Sequence, residues 1–456
     1  MSSTRVLLEA QAHHRRRLLT AFLTADAEGT DEVLPRSAPL LWGLAVAVCL
    51  LVGVLVTGLL DPGPPPGWDD GKLVVARASA ARFVSLRGTL YPVLNTTSAR
   101  LALPATAGST ALVVDDAAIA AAPHGPTVGI PGAPDELPPE SGLQPSGWVA
   151  CLDGSQVRTT VSSRPPPPAS VDLALTVTVT SGEGAHGHLM ASGRGFALPR
   201  GHEESLIRFL GLAATPLPAP QRWVDLFTTG TGLEYPAFRF PAGSRAGQTL
   251  PPGVTVGGRA QRAGQLLVNT EHAGAMSVVL ADGTVPLTPF AAAVYRATAP
   301  RPLADPVAVS DVELASTPIS ATRGFVPDDW PRTLPAPAGA TATPCARLDA
   351  GVGRLARIDL LLLDPQSVWS RPPGGLPTTV EPGHGAVVRV GTTSGPGRVV
   401  LVDAAGVACT VVDPSPQTLA RLGYTTVRLS SVPSPWLGLF TRGPDLAQQA
   451  VGAPRA

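Results

Sequence analysis

The chain has 456 residues, with 34 Lys+Arg and 34 Asp+Glu, so its formal net charge is zero. A neutral chain lacks the positive field of a nucleic-acid-binding protein, which excludes nucleic acid as a partner of the chain as a whole. Gly (48) and Pro (50) are abundant, charged residues make up 15% and hydrophobic residues 44%. This composition predicts a folded protein of about two to four domains, with many turns and little helix.

The first segment, residues 1–39, begins with a predicted amphipathic helix over residues 3–24. Apolar side chains recur there at helical spacing beside a basic patch. One interpretation is a topology signal held at anionic lipid headgroups, and the other is a docking site for a cytoplasmic neighbour. The residues of this docking site would be Arg15, Arg16, Arg17, Leu18 and Phe22.

A transmembrane helix is predicted from Leu40 to Leu60, a stretch without a charged residue. A helix of this length measures ~32 Å, enough for a hydrocarbon core of ~30 Å. Arginines precede the stretch and aspartates follow it, so we expect a cytoplasmic N-terminus and an extracytoplasmic remainder. The predicted protein therefore crosses the cell inner (plasma) membrane once and interacts with the lipid bilayer.

The outer region begins with a Pro-rich spacer at residues 61–71, and the rest alternates between small repeats and segments of a central core. Strand-like runs near residues 171–179 and 386–390 are expected to belong to that core. The predicted segments are repeat one (72–103), a first core segment (104–184), repeat two (185–233), a connection (234–273), repeat three (274–298), a second core segment (299–396), repeat four (397–446) and a tail (447–456).

Repeats two and four are similar in sequence and indicate a duplicated unit. Each has a strand, a glycine turn, a second strand and a short helix. The turn glycines Gly193 and Gly406 are 213 positions apart, and the later Trp223 and Trp436 keep the same offset. Repeats one and three are weaker copies, with hairpin turns predicted at Arg87-Gly88 and Asp282-Gly283.

Three of the four cysteines lie beyond the predicted membrane helix, where disulfides persist. Cys151 and Cys345 both fall in predicted core segments, and Cys409 falls in a repeat hairpin. We predict a Cys151–Cys345 disulfide and a free Cys409. The long intervening loop favours this bond in the chain-entropy account of disulfide stabilisation.

Motifs for phosphate binding and hydrolysis are missing. A Walker loop needs glycine five positions before the Gly-Lys pair, and around Lys72, the single lysine, that pattern fails. No G-x-S-x-G elbow is present, and His202-Glu203-Glu204 lacks the second histidine of a zincin. We therefore predict no catalytic residue, metal ligand or cofactor-binding residue, and no cofactor.

Two further patterns have ordinary explanations. His186 and His188 lie beside glycines, where a solvated turn is more plausible than a metal site. Aspartate doublets at turns accept backbone N–H bonds. These doublets are Asp69-Asp70, Asp115-Asp116 and Asp328-Asp329.

Several stretches together resemble EccB, a membrane component of the type VII (ESX) secretion machinery of actinobacteria. Besides the basic N-terminal helix and single apolar stretch, the resemblance rests on five motifs that occur in order along nearly the whole chain. They are Leu90-Tyr-Pro-Val-Leu-Asn95, Gly125-Pro-Thr-Val-Gly-Ile-Pro-Gly-Ala-Pro-Asp135, Trp148-Val-Ala-Cys151, Val326-Pro-Asp-Asp-Trp-Pro331 and Leu422-Gly-Tyr…Gly443-Pro-Asp445.

The resemblance implies an α+β, mainly β fold: an elongated, propeller-like extracytoplasmic domain with a β-rich core and four hairpin-helix repeats in quasi-two-fold arrangement. It also implies partners, namely other ESX membrane subunits with an FtsK-like ATPase, a subtilisin-like protease, and further copies of the chain. Cys151 and Cys345 match the family's disulfide positions, and Cys409 departs from its pattern. The expected function is a structural subunit of the secretion complex. An ATP-hydrolysing subunit and a cell-envelope ligand-binding receptor are the alternatives.

Overall fold

A computed structural model of the chain contains two compact units, residues 1–65 and 66–456. Helices and strands are both present and strands predominate, which confirms the α+β, mainly β class. The structure describes residues 3–24, 38–59, 64–105, 111–168, 172–182, 184–213, 215–242, 244–250, 255–272, 274–338, 342–364, 377–391 and 397–452.

The first unit contains two helices, α1 (Ser3–Thr24) and α2 (Ala38–Leu59). The apolar stretch predicted from the sequence begins inside α2 at Leu40, and its end, Leu60, lies outside the described residues. Among the described residues, no helix combines the length and the apolarity required to cross a membrane.

The second unit begins with module one, residues 72–124. Its elements are β1 (Lys72–Ala76), β2 (Arg82–Leu86), β3 (Thr89–Pro92), α3 (Thr96–Ala102), β4 (Ala111–Val114) and α4 (Asp116–Ala121). The sheet order is β3-β2-β1-β4, with β4 returning parallel to β1. After α4, His124 forms a parallel bridge with Leu90 of β3. Asn95 caps α3, because its side chain accepts the Ser98 N–H at 2.9 Å.

The chain then contributes two strands to a central sheet, β5 (Val149–Asp153) and β6 (Gln156–Val161). Module two, residues 173–229, follows. It consists of β7 (Leu173–Ser181), β8 (Gly184–Ala191), β9 (Arg194–Ala197), α5 (Glu203–Phe209), β10 (Leu217–Pro218), α6 (Gln221–Val224) and β11 (Thr228–Thr229). Its order is β10-β7-β8-β9-β11, in which β10 is parallel to β7 and β11 is parallel to β9.

A small hairpin, β12 (Thr255–Val256) and β13 (Arg259–Ala260), precedes module three, residues 266–319. This module consists of β14 (Leu266–Asn269), β15 (Met276–Leu280), β16 (Gly283–Leu287), α7 (Pro289–Thr298), β17 (Val307–Val309) and α8 (Asp311–Ala315). Its order, β16-β15-β14-β17, repeats that of module one, and Ile319 forms a parallel bridge with Thr284 of β16. Thr288 caps α7 and Ser310 caps α8.

The central sheet is completed by the next stretch of the chain. After β18 (Ala336–Pro337), which pairs with β7, come β19 (Thr343–Gly351), β20 (Arg354–Leu363) and β21 (Thr378–Val380). The order β20-β19-β5-β6-β21 joins strands from two distant regions of the sequence.

Module four, residues 386–442, has the same topology as module two. Its elements are β22 (Ala386–Val390), β23 (Arg398–Val402), β24 (Val407–Val411), α9 (Pro416–Leu422), β25 (Ser430–Val432), α10 (Ser434–Leu437) and β26 (Thr441–Arg442). Its order is β25-β22-β23-β24-β26. Ser415 caps α9 by accepting the Thr418 N–H at 3.2 Å. Short 3₁₀ helices occur at Glu140–Gly142, Tyr235–Ala237 and Gln448–Val451.

The modules are larger than the repeats predicted from the sequence. The run near residues 171–179, expected in the core, pairs as β7 with β8 of module two. The run at residues 386–390 likewise pairs as β22 with β23 of module four. Each of these two modules therefore starts one strand earlier than predicted. The hairpins expected at Arg87-Gly88 and Asp282-Gly283 are present as β2–β3 and β15–β16.

The propeller-like arrangement expected from the resemblance is not found, because the sheets of the described residues form no closed propeller. Modules two and four instead pack on one face of the central sheet. That core contains Ala346 and Leu348 of β19, and the completely buried Trp223 of α6 and Trp436 of α10. Burial of two whole indole rings makes this face the main hydrophobic contact of the unit.

Candidate assembly surfaces

The two halves of the central sheet meet at a disulfide. Cys151 of β5 and Cys345 of β19 lie directly opposite each other in an antiparallel pair, and their sulfur atoms are bonded at 2.03 Å. The two cysteines are 194 positions apart in the sequence. With Val149 and Leu361 they form a small buried cluster on the sheet face opposite the indole rings. The bond therefore joins two distant chain segments at the centre of the unit.

Cys409 is a buried thiol in β24 of module four. Burial raises the pKa of this thiol to about 12, and the nearby carboxylates of Asp403 and Asp445 act in the same direction. A thiol with this pKa is almost entirely protonated at neutral pH and is a poor nucleophile. Its environment is that of a small core residue.

The duplicated turn glycines lie at opposite edges of the central sheet. Gly193 has φ +72° and packs so closely on β20 that an added Cβ would overlap the carbonyl oxygen of Ile358. Gly406 has φ +75° and faces β21, where an added Cβ would lie 3.4 Å from Cγ2 of Thr378. The same turn of modules two and four thus covers the two edge strands. Only at Gly193 does the close approach leave no room for a side chain.

The crossover helices pair the modules. In each module an arginine occupies the last turn of the helix that follows the third strand: Arg100, Arg208, Arg296 and Arg421. Between modules one and four the arginines exchange hydrogen bonds. Arg100 donates to the carbonyl oxygen of Leu422 at 2.7 Å, and Arg421 donates to that of Leu101 at 3.2 Å. Each guanidinium thereby satisfies a free carbonyl at the end of the partner helix.

Modules two and three are joined by a different contact. The guanidinium of Arg296 in α7 lies 4.2 Å from the ring centroid of Phe209 in α5, a cation–π geometry. The equivalent Arg208 pairs with Glu204 of its own helix at 3.0 Å, on the exposed surface. Around this contact the two modules share one hydrophobic core, which includes Phe196 and Phe290. The two module pairs thus use equivalent helices with different chemistry.

The sequence contains a signal for the arginine exchange that the comparison of hairpins alone does not reveal. Both participating helices contain the same tripeptide in their last turn, Ala99-Arg100-Leu101 and Ala420-Arg421-Leu422. The four repeats were related through a shared hairpin followed by a helix, without pairing the residues at the helix ends. A comparison of helix ends would have paired them.

The residues predicted to dock inside the cell lie on α1. Arg15, Arg16, Arg17 and Leu18 are exposed, and Leu18 keeps 60% of its surface accessible. Phe22 lies near the end of the same helix. The exposed basic and apolar side chains are compatible with both interpretations of this segment.

In the described residues, one aspartate of each doublet accepts a backbone N–H bond. Asp70 accepts the N–H of Arg87, which lies in the β2–β3 turn, at 2.7 Å. Asp116 accepts the Ala78 N–H at 2.8 Å, and this donor, followed by the Ser79 hydroxyl, lowers the pKa of its carboxyl group. Asp329 accepts the Thr231 N–H at 2.8 Å.

The two histidines expected in a solvated turn lie instead in strand β8. His188 is half-buried, and burial, followed by the neighbouring His186, lowers the pKa of its imidazole. His186 Nδ1 lies 3.4 Å from a guanidinium nitrogen of Arg200. Over the stretches of chain that the structure describes, no group of three or more His, Cys, Asp or Glu side chains has the arrangement of a metal site.

The profile of one protein family, described as "Type VII secretion system ESX-1, transport TM domain B", matches residues 1–455. The chain belongs to this family, EccB. The family description connects it with membrane transport. The match extends over the residues of both units.

Curated EccB relatives are moderately similar. The ESX-3 secretion system ATPase EccB3 of Mycolicibacterium smegmatis is 27% identical over 313 residues, 66% of this chain and 58% of the relative. The ESX-2 secretion system ATPase EccB2 of Mycobacterium tuberculosis is 39% identical over 119 residues, 25% of this chain and 23% of the relative. The aligned region therefore spans less than two thirds of these relatives.

Two solved structures have the same fold. One is an EccB3 dimer from the ESX-3 core complex, with a TM-score of 0.65 and 22% identity over 83% of this chain and 99% of that chain. The other is an intact ESX-5 inner membrane complex, with a TM-score of 0.62 and 22% identity over 100% of this chain and 96% of the matched chain. At this identity the likeness concerns the fold.

Proposed function

We propose that this chain is a structural, membrane-anchored subunit of a type VII (ESX) secretion complex and that it scaffolds the extracytoplasmic region of that complex. The observation that carries the proposal is the construction of unit two. Four modules of related topology are held in pairs on a disulfide-linked central sheet. Such a body provides several similar surfaces for assembly.

The proposed anchor is the apolar stretch from Leu40 to Leu60, with the N-terminus in the cytoplasm and the modules outside. The charge asymmetry of the flanking residues supports this orientation, since Arg15 to Arg17 precede the stretch and Asp61, Asp69 and Asp70 follow it. A cysteine placed in the spacer and one placed in α1 would report the orientation. A membrane-impermeant maleimide should label only the spacer cysteine in intact cells.

The proposed partners are other ESX membrane subunits, including an FtsK-like ATPase and a subtilisin-like protease, and further copies of the chain. In the finer arrangement that we propose, modules one and four are related to modules three and two by a quasi-two-fold axis. The matching sheet orders of modules one and three and of modules two and four support this view. Repetition of one module leaves similar surfaces available for neighbouring subunits.

The test is the size and composition of the extracted particle. Membranes are solubilised in mild detergent, the chain is captured by a C-terminal tag, and the eluate is analysed by size-exclusion chromatography and mass spectrometry. We expect a particle much larger than the 46.6 kDa chain that contains an FtsK-like ATPase. A folded monomer or simple dimer without other subunits would contradict the proposal.

A separate variant tests the docking role of α1. Replacing Arg15, Arg16 and Arg17 by Gln should release the chain from the large particle while it stays in the membrane. A matched triple variant at the exposed Arg222, Arg398 and Arg442 changes the net charge equally on unit two. If both variants stay in the particle, α1 is not the docking element.

A second candidate function, ATP hydrolysis, is favoured by the names of the curated relatives. The sequence lacks the Gly-rich loop and lysine that cradle phosphates, so we expect no hydrolysis by the purified full-length chain. The enzymatic function would be established instead by two results together. The ATPase activity would stay with the chain through a second purification column, and a substitution in unit two would abolish it.

A further inference from the structure

The segment that leads into module three carries only positive charge. Between positions 235 and 270 the sequence contains no Asp, Glu or Lys, and its charged residues are Arg239, Arg245, Arg259 and Arg262. Across the whole chain basic and acidic residues are equal in number, so this stretch concentrates charge of one sign. We call its described residues, 239–242, 244–250 and 255–265, the arginine arm.

The arm is folded onto itself by backbone hydrogen bonds. The Gly247 N–H donates to Ala263 O at 2.7 Å, the Ala263 N–H to Gln248 O at 2.8 Å, and the Leu250 N–H to Gln261 O at 3.0 Å. The hairpin β12–β13 continues the same ribbon. The arginines are therefore carried on a defined backbone.

One side of the arm is apolar and faces module three. Leu250, Val256 and Ala263 are buried in one cluster with Leu267 of β14 and Val279 of β15. This contact covers the face of the module three sheet that is turned away from α7, whose own cluster contains Leu266 and Val278. The arm is thus anchored by ordinary hydrophobic burial, and its other side remains exposed.

All four arginines of the arm are exposed. None of the four has an ion pair within the described residues. The Glu313 carboxylate is held by the Ser310 N–H at 2.8 Å in a capping box, and the pKa of this carboxyl is lowered first by Ser310 and to a smaller extent by Arg259. Guanidinium groups without a carboxylate partner are available for an external anion.

The chemistry around the arginines favours a polymer over a protein or a membrane. The described residues of the arm expose no large hydrophobic side chain. Stable protein interfaces depend on buried aromatic or aliphatic anchors, and membrane-surface binding depends on inserted apolar side chains. A flexible chain of phosphates requires neither, because paired guanidinium–phosphate hydrogen bonds hold it.

We propose that the arginine arm binds a phosphate-bearing anionic polymer. Its location in the cell envelope rests on the orientation given under the proposed function, whereas the binding itself does not. Binding is measured on the purified chain without other subunits. Its failure is therefore distinguishable from failure of the secretion-complex proposal.

The probe is linear inorganic polyphosphate, titrated onto the full-length chain in neutral detergent. We expect binding that weakens steeply with salt, since a bound polyanion releases its counterions. Replacing Arg239, Arg245, Arg259 and Arg262 by Gln should weaken binding at least tenfold. The control variant carries the same charge change at the exposed Arg164, Arg222, Arg398 and Arg442 and should change the Kd less than twofold.

Three results would overturn the proposal. They are the absence of polyphosphate binding by the unmodified chain at low salt, an equal loss in the arm and control variants, and tighter binding of poly-glutamate than of polyphosphate. The last result would assign the arm to an acidic protein segment. The single variants Arg245→Gln and Arg262→Gln should each weaken binding two- to fivefold, and they keep the test decisive if the quadruple variant loses its fold.

Discussion

Gly193, in the β8–β9 turn of module two, lies against the backbone of Ile358 in the edge strand β20, so closely that no Cβ can be accommodated. Its counterpart Gly406 in module four has nearly the same φ but faces the Thr378 side chain at an ordinary contact distance. A side chain at Gly406 would therefore meet backbone strain alone, whereas a side chain at Gly193 would meet both backbone strain and steric overlap.

Alanine substitutions at the two glycines form a matched pair of variants. Gly406→Ala should destabilise the fold by about 1–2 kcal/mol, the cost of a positive φ for a residue with a Cβ. Gly193→Ala should cost about 1–3 kcal/mol more, because the β20 backbone has to move. Urea unfolding of the full-length chain in detergent, followed by tryptophan fluorescence, measures the difference. Equal midpoints for the two variants would show that module two does not press on β20.

The arginine exchange predicts that module one is held to module four by two equivalent hydrogen bonds. Arg100→Gln and Arg421→Gln should each lower the free energy of unfolding by about 1.5–3 kcal/mol, because each removes a charged donor from a helix-end carbonyl. The control is Arg208→Gln at the same helix position in module two. Its exposed pair with Glu204 should cost less than about 0.5 kcal/mol. Similar losses in all three variants would contradict the exchange.

Cysteine chemistry distinguishes Cys409 from the other two cysteines of unit two. Non-reducing peptide mapping should recover Cys151 linked to Cys345. With its pKa raised to about 12, Cys409 should resist iodoacetamide at pH 8 in the folded chain and react after unfolding. Rapid alkylation of folded chain at Cys409, or its recovery in a disulfide, would contradict the buried position.

Acid should weaken the contact between the Glu140–Gly142 turn and the segment after α9. Glu140 accepts the Thr426 hydroxyl at 2.7 Å and the Thr426 N–H at 2.8 Å, and these bonds lower the pKa of its carboxyl below the ordinary 4.5. A lowered pKa in the folded state means that this stabilisation is complete above the unfolded value and is lost as the pH falls through the folded one.

The measurement for Glu140 is the Tm of the full-length chain between pH 7 and pH 3. The unmodified chain should lose Tm below about pH 4.5, and Glu140→Gln should start from a lower Tm and lose less over this interval. Glu203→Gln in α5 is the control for charge. If the plots of Tm against pH for the unmodified chain and for Glu140→Gln were parallel, Glu140 would not stabilise the fold.

Much of this fold is visible in the sequence because some positions permit few residues. Turns at positive φ favour glycine, and a deep core position can be filled by a large ring, so Gly193 and Gly406, and Trp223 and Trp436, reveal the duplication. The hairpins at Arg87-Gly88 and Asp282-Gly283 are recognisable for the same reason. Two-residue turns of this kind tolerate few alternatives.

The pairing partners of the strands were not visible. The runs that form β7 and β22 have the composition of buried strands, and that composition is the same whether the neighbour is a module or the central sheet. Their assignment depends on tertiary pairing with β8 and β23, which local periodicity does not encode. The arginine arm likewise reads as a mere connection in the sequence, because its charge becomes a surface only once Leu250 and Ala263 are buried.

The central sheet also has a consequence for the order in which the chain folds. β5 must wait for β19, whose Cys345 lies 194 positions after Cys151 of β5, and module one must wait for α9 at the far end of the chain. Pairings of such long range close slowly, whereas modules two and three are neighbours in sequence and condense early. A chain emerging N-terminus first therefore exposes β5 and β6 as unpaired edges for most of its synthesis. Protection of these two strands in the nascent chain, more than the stability of any single module, should limit the yield of folded protein.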